Sequence, residues 1–151
     1  MDPVVDFSIA AAAPDDAAAL AGLLRAADLP AEDFSPHLAH FLVARQGDRL
    51  IGAVGAEVYG AAALLRSLVV APEHRGRGLG AMLLRRLEQA AGAWGVQRWW
   101  LLTTTAEAFF RQHGFIVTAR NAAPAAIATT AEFMDLCPAT AVCLSRERRA
   151  K

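Results

Sequence analysis

Leu68-Val69-Val70-Ala71-Pro72-Glu73-His74-Arg75-Gly76-Arg77-Gly78-Leu79-Gly80-Ala81 is the stretch on which the reading of this 151-residue chain turns. An apolar strand ends at a Pro-marked turn, a run of glycine and arginine follows, and a long helix begins. Glycines at 76, 78 and 80 remove the Cβ atoms that would keep a ligand off the main chain. Their N–H groups join the free N–H groups of the helix start to form an anion site. Arg75 and Arg77 add positive charge on the same turn, so the loop suits a phosphate.

The order of residues narrows the phosphate ligand. No Lys and no Ser or Thr follows the last glycine, which excludes a mononucleotide P-loop. A dinucleotide fingerprint asks for an acidic residue at the end of the next strand, and that strand ends in Thr103-Thr104-Thr105. The pattern that fits is [Q/R]-x-x-G-x-[G/A], met by Arg75, Gly78 and Gly80 behind a Leu-Val-Val strand.

Composition bounds the rest. A chain of 151 residues, 55% hydrophobic and 20% charged, is expected to form one domain over residues 1–151, with a real core. Lys+Arg and Asp+Glu both number 15, so the net charge is zero and nothing favours nucleic acid, which needs a basic face. Cys137 and Cys143 match neither C-x-x-C nor a zinc pattern, and no metal is expected. One disulfide or two thiols remain open, with thiols in a reducing cytosol preferred. The N-terminus is acidic without a positive region, and no run reaches the ~18 apolar residues of a membrane span. A cytoplasmic protein without membrane partners is expected.

Along the chain, Phe7–Ala11 reads as a strand and Pro14-Asp15-Asp16 as the start of a helix to about Ala27. Ala31–Leu38 reads as a second, short helix. Phe41–Ala44 and Leu50–Tyr59 form two strands, the second containing Gly52 and Gly55, which weaken it or admit a close neighbour. Ala63–Val70 is a central strand. The helix from Leu79 to Trp94 presents Leu79, Leu83, Leu87, Ala91 and Trp94 on one face and turns Arg85, Arg86, Glu88 and Gln89 to water. Strand Trp99–Thr103, helix Ala106–Gln112, strand Phe115–Ala119, helix Pro124–Met134 and strand Ala139–Leu144 follow, with Ser145–Lys151 a frayed tail. The order βααβββαβαβαβ gives a mixed α/β (α+β) fold, a sheet covered by helices.

This order and two motifs together resemble the GNAT superfamily of N-acetyltransferases across essentially the whole chain. One motif is the phosphate loop. The other is Ala106-Glu107-Ala108-Phe109-Phe110-Arg111-Gln112-His113-Gly114-Phe115, similar to the superfamily's A-x-x-[F/Y]-Y-x-x-x-G-F element. The resemblance implies a mostly antiparallel central sheet and acetyl-CoA as acetyl donor. It places the CoA pyrophosphate on the amides from Gly76 to Ala81, including Leu79. It also aims Leu68, Val69 and Val70 at the pantetheine arm and thioester, with the Val69 N–H steadying the oxyanion, and adds Thr103 and Phe110 to the cofactor contacts. Leu64-Leu65-Arg66-Ser67-Leu68, Leu101–Ala106 and Leu136-Cys137-Pro138-Ala139 are similar to the small acetyltransferases associated with arsenic resistance. Relatives of that group acetylate phosphinothricin-like or arsinothricin-like amino acids.

Several residues carry two readings. An α-amine is mostly protonated at neutral pH and needs a base. Glu57, at the end of an apolar strand, is either that base, made more basic by burial, or a solvated strand-end residue. Tyr59 is the chain's only tyrosine and the only phenol for a general acid, because Phe110 stands where many superfamily members place a tyrosine. Arg66, inside an apolar strand, either binds a substrate carboxylate or phosphonate-like group or forms a structural pair with Glu57. Ser67 and Thr103–Thr105 offer hydroxyls to ligand or to local backbone. Glu107 and His113 are weaker base candidates or helix-surface residues, Trp94, Trp99 and Trp100 read as core, and Cys137, without a His or Asp in a recognisable pattern, as a structural thiol rather than a nucleophile.

The expected activity is acetyl transfer to the amine of a small molecule, such as an amino-acid analogue. Alternatives are another amine (an aminoglycoside, a polyamine, a protein N-terminus) or a non-catalytic acyl-CoA sensor. A homodimer is common among similar proteins.

Overall fold

In the computed structural model, which describes residues 7–136 and 139–149, the apolar runs form seven strands. These are β1 (Ser8–Ala11), β2 (Phe41–Gln46), β3 (Arg49–Tyr59), β4 (Ala62–Val70), β5 (Arg98–Thr103), β6 (Ile116–Val117) and β7 (Val142–Glu147). They make one sheet in the order β1-β2-β3-β4-β5-β7-β6. The β1–β2, β2–β3, β5–β7 and β6–β7 pairs are antiparallel, while β4 and β5 run parallel. The helices are α1 (Ala17–Ala26), α2 (Leu79–Ala91), α3 (Glu107–Gln112) and α4 (Ala125–Ala128). This is the mixed sheet with flanking helices that the element order implies, mostly antiparallel as the family resemblance implies. The chain divides into two compact units, Met1–Gly55 with Ser67–Leu87, and Ala56–Arg66 with Glu88–Lys151.

In the first unit, Leu20, Leu24, Phe34, Phe41, Val43, Ala53 and Val69 form a core in which the rings of Phe34 and Phe41 lie 5.8 Å apart. The two strand glycines admit close neighbours here. A Cβ on Gly52 would lie 3.1 Å from both Leu83 and the Val69 carbonyl, and one on Gly55 would overlap the Phe41 ring. Asp16 ties the helix start to the sheet. Its carboxylate accepts from both Nη1 and Nη2 of Arg45 (3.0 and 2.9 Å) and from the Ala13 N–H (2.8 Å).

In the second unit, Leu64, Trp100, Ile127, Phe133 and Cys143 form a separate core. Glu88 is a second centre of order. It is buried rather than water-facing as expected, accepting from Trp99 Nε1 (3.2 Å), Arg146 Nη2 (2.7 Å) and the Arg149 N–H (2.9 Å). The sign was present in the spacing, because Glu88 stands four residues after Leu84 and three before Ala91, both buried. Glu88 also explains why β7 runs to Glu147 instead of ending at Leu144. Ser145 and Arg146 of the expected tail are buried, Arg146 lies 4.4 Å over the Phe115 ring, and Arg148 Nε donates to the Val96 carbonyl.

Three other expectations change. The short helix near residue 31 is a 3-10 helix at Ser35–His40, placed later because Pro36 serves at its start. The strand expected over Phe115–Ala119 shrinks to Ile116–Val117 at the sheet edge, with Phe115 instead turned into the core. The helix expected over Pro124–Met134 breaks after Ala128. The hydroxyls of Thr129 and Thr130 donate to the carbonyls of Ala125 and Ile127, which competes with helical bonding. A π-type turn at Glu132–Leu136 follows.

Two outcomes follow for the first unit. Gly55→Ala should destabilise the protein by about 1–3 kcal/mol through overpacking, with partial recovery in the double variant carrying Phe41→Leu. Thermal unfolding of the three variants checks this. The Arg45 hydrogen bonds, and then the Ala13 N–H, hold the Asp16 carboxyl below its ordinary value. Stability from a depressed carboxyl is fully present above about pH 4 and is lost as pH falls through the folded-state value. Asp16→Asn should therefore cost about 1–3 kcal/mol at pH 7, and urea titrations should show the gap to wild type closing toward pH 2.

Candidate active site

The glycine- and arginine-rich loop after β4 belongs to the first unit. The Ala71 N–H donates to the Ile51 carbonyl (2.8 Å), Pro72–His74 make a 3-10 turn, and Arg75 Nε donates to the Val70 carbonyl (3.0 Å). That last bond fixes the lead arginine at the end of β4. Gly76 and Gly78 have φ of 79° and 81°, left-handed values that favour glycine. A Cβ built on either meets nothing within 4 Å, so the loop face is open. Across this start of α2, the Met82 N–H donates to the Gly78 carbonyl (3.1 Å). The amides of Leu79, Gly80 and Ala81 precede it and have no intrahelical acceptor. Exposed Arg75 and Arg77 stand beside them. Open backbone, free amides, a helix start and two guanidinium groups fit a pyrophosphate.

Leu68, Val69 and Val70 complete β4 ahead of this loop. Ser67 lies within β4 with φ of 62°. A left-handed serine costs about 1–2 kcal/mol. The sequence suggested a hydroxyl role for Ser67; its backbone shape was not legible. The parallel ladder of β4 with β5 covers Ala62–Leu64 against Arg98–Trp100.

The second unit holds a buried cluster of charge. Glu57 and Tyr59 stand two apart on β3, and so on one face. The Tyr59 hydroxyl donates to Glu57 Oε1 (2.5 Å) and Arg66 Nη1 to Glu57 Oε2 (2.5 Å). Arg66 Nε lies 3.2 Å from Glu132 Oε2. The Arg66 side chain has no exposed surface, and Glu57 and Glu132 are 2% and 4% exposed. Of the two readings of Arg66, the pair with Glu57 is the contact the structure displays. Glu132 was missed, because a straight helix over 124–134 gave it no reason to turn inward. The one available signal was the Thr129-Thr130 pair that ends α4.

The remaining residues have local partners. Thr103 Oγ1 accepts from the Ala106 N–H (3.0 Å) at the start of α3. Phe110 is buried edge-on to Phe109 and Phe115, with centroids 5.1 and 5.3 Å away. Glu107 pairs with Arg111 on the helix surface, and His113 Nδ1 lies 2.9 Å from the Phe109 carbonyl. Trp99 and Trp100 are core residues. Cys143 is a buried free thiol, its proton held on by burial; Cys137 lies outside the described residues. No helix among the described residues is long and apolar enough to cross a membrane.

A family model described as an acetyltransferase (GNAT) domain matches residues 37–117. No curated protein matches the chain. Among solved structures, N-acetylglutamate synthase from Neisseria gonorrhoeae, complexed with coenzyme A and N-acetyl-glutamate, is 19% identical with a TM-score of 0.82. That alignment covers 95% of this chain and 35% of that one, so the chain spans about a third of that protein. Rv2747 from Mycobacterium tuberculosis, in complex with CoA and NLQ, is 22% identical over 93% of this chain and 98% of that one, with a TM-score of 0.76. PaiA N-acetyltransferase from Thermoplasma acidophilum, in complex with coenzyme A, is 16% identical over 94% and 99%, with a TM-score of 0.69. At these identities the likeness is one of fold.

Gly78→Val places a branched side chain at positive φ on the open face of the loop. CoA affinity measured by calorimetry should fall at least tenfold, roughly 1.4 kcal/mol or more. Gly60→Ala, strained in the same way at φ of 68° in the β3–β4 turn, serves as the control and should bind CoA as wild type does.

Proposed function

The chain belongs to the GNAT acetyltransferase family, and from that premise we propose that it moves the acetyl group of acetyl-CoA to the amine of a small molecule. The observation that carries this reading is the loop: left-handed Gly76 and Gly78, open space above both, and the α2 amides behind them. The CoA pyrophosphate rests on the amides from Gly76 to Ala81, with Arg75 and Arg77 balancing its charge. Leu68, Val69 and Val70 follow the pantetheine arm, and the Val69 N–H donates to the oxyanion of the tetrahedral intermediate.

Glu57 is the base. It takes the proton from the acceptor's ammonium, directly or through a water, and leaves the nitrogen lone pair to attack the thioester carbon. Tyr59 and Arg66 hold both oxygens of that carboxylate, which fixes its orientation. As the tetrahedral intermediate collapses, the nitrogen sheds its second proton to water, the C–S bond breaks and CoA leaves as a thiolate. Phe110 has no hydroxyl to protonate it. Tyr59 is the phenol this chain offers, and otherwise the thiolate takes its proton from water.

For the acceptor, the reading extends to an amino-acid analogue of the phosphinothricin or arsinothricin kind. Its support is the likeness of Leu64–Leu68, Leu101–Ala106 and Leu136–Ala139 to the arsenic-resistance group, together with a neutral net charge that does not draw polycations. Thr103 and Phe110 are assigned to the packing around the cofactor, and Ser67 to shaping β4. A cytoplasmic enzyme, dimeric in solution, completes the proposal, and sedimentation velocity tests the dimer.

One observation favours a second reading. Phe110, packed between Phe109 and Phe115, removes the usual acid, which a CoA sensor would not need. Thiol release from acetyl-CoA, followed over an amine panel that includes phosphinothricin, separates the two. Turnover with phosphinothricin, reduced at least 100-fold in Glu57→Gln, supports the enzyme. Thermal stabilisation by CoA without turnover on any amine supports the sensor, and the absence of stabilisation rules out both.

A further inference from the structure

We propose that Glu132 is a positioning residue for Glu57, acting on it through the guanidinium of Arg66. The inference rests on the reading of Glu57 as the base.

Glu132 reaches Arg66 because α4 stops early. Thr130 gives its hydroxyl to the Ile127 carbonyl and takes the Phe133 N–H (3.4 Å) on the same oxygen. The chain then enters the π-type turn Glu132–Leu136. There Glu132 and Phe133 face inward, at 4% and 8% exposure, while Met134 is 64% exposed. A continued helix was the sequence expectation; the turn gives Glu132 its inward place.

The contact uses a different edge of the guanidinium from the one that holds Glu57. Arg66 gives Nη1 to Glu57 and Nε to Glu132. A planar group gripped along two edges cannot turn about its own axis, so Glu132 sets the direction from which Nη1 meets Glu57. It also sets how much positive charge Glu57 feels. A cation held by one carboxylate alone stabilises that carboxylate strongly and makes it a poor base. A cation shared between two favours each less. Among the described contacts, Glu57 is met by Tyr59 from β3 and Arg66 from β4, and Arg66 is in turn met by Glu132. Glu132 thus holds the guanidinium in place against Glu57 and shares its charge.

The test is a pH titration of the full chain labelled with 13C at the glutamate δ-carbons, with Glu57 assigned from Glu57→Gln and Glu132 from Glu132→Asp. In Glu132→Gln the Glu57 signal should titrate at lower pH by roughly one unit, and Glu132→Asp, which restores the charge, should return it most of the way. The acidic limb of kcat/KM for phosphinothricin should move with it. A folded Glu132→Gln protein whose Glu57 titration does not move, or moves upward, overturns the proposal. Should Glu132→Gln fail to fold, the wild-type curves decide: Glu57 and Glu132 each displaying the other's step supports coupling through Arg66, and two independent single-step curves refute it. Full transfer activity in Glu57→Gln would instead sink the base assignment while leaving the coupling measurable.

Discussion

A charge taken out of water must be paired, and the second unit is organised around that requirement. Arg66 and Glu88 are both buried and both bridge more than one partner. Removing one partner of such a pair typically costs about 3–5 kcal/mol, because the other is left charged and unsolvated. Arg66 therefore ties β3, β4 and the Glu132–Leu136 turn into one arrangement. Glu88 does the same for α2, β5 and β7. Apolar packing around Trp100, Ile127 and Phe133 supplies the bulk of burial, while the ion pairs decide which arrangement of strands is allowed.

The first unit solves a different problem, the close approach of backbone and ring. Gly55 lies flat beneath Phe41 and Gly52 beneath Leu83. These contacts place β3 against β2 and bring α2 down near the end of β4. The start of α2 is thereby held where its free amides face an open loop. Main-chain N–H groups exposed in this way need no side chain beyond the glycines that uncover them to meet an anion.

Much of this was legible in the chain. The strand–Pro–glycine–helix sequence at Leu68–Ala81 specifies its own conformation locally, since Pro72 fixes the turn and glycine is the residue that adopts φ near 80° without cost. The helix and strand order followed from periodicity for the same reason. Boundaries failed where long-range partners overrode local pattern. The charged end of β7 was read as a tail because Arg146 and Arg148 gave no apolar signal; Glu88 and the Val96 carbonyl hold them. The helix over 124–134 failed because the Thr129 and Thr130 hydroxyls take the Ala125 and Ile127 carbonyls.

By itself, then, the sequence determined the order of helices and strands and the shape of the glycine turn after β4, because both rest on interactions between residues close along the chain. It also nominated Glu57, Tyr59 and Arg66, since charge and a lone phenol beside apolar strands demand explanation. Only the tertiary structure decided what those three do to one another, that Ser67 takes a left-handed backbone within β4, and that Glu132 joins them. Those outcomes depend on residues up to 75 positions apart (Glu57 to Glu132) meeting in a buried volume, where each charge accepts the partner that the surrounding packing brings within reach.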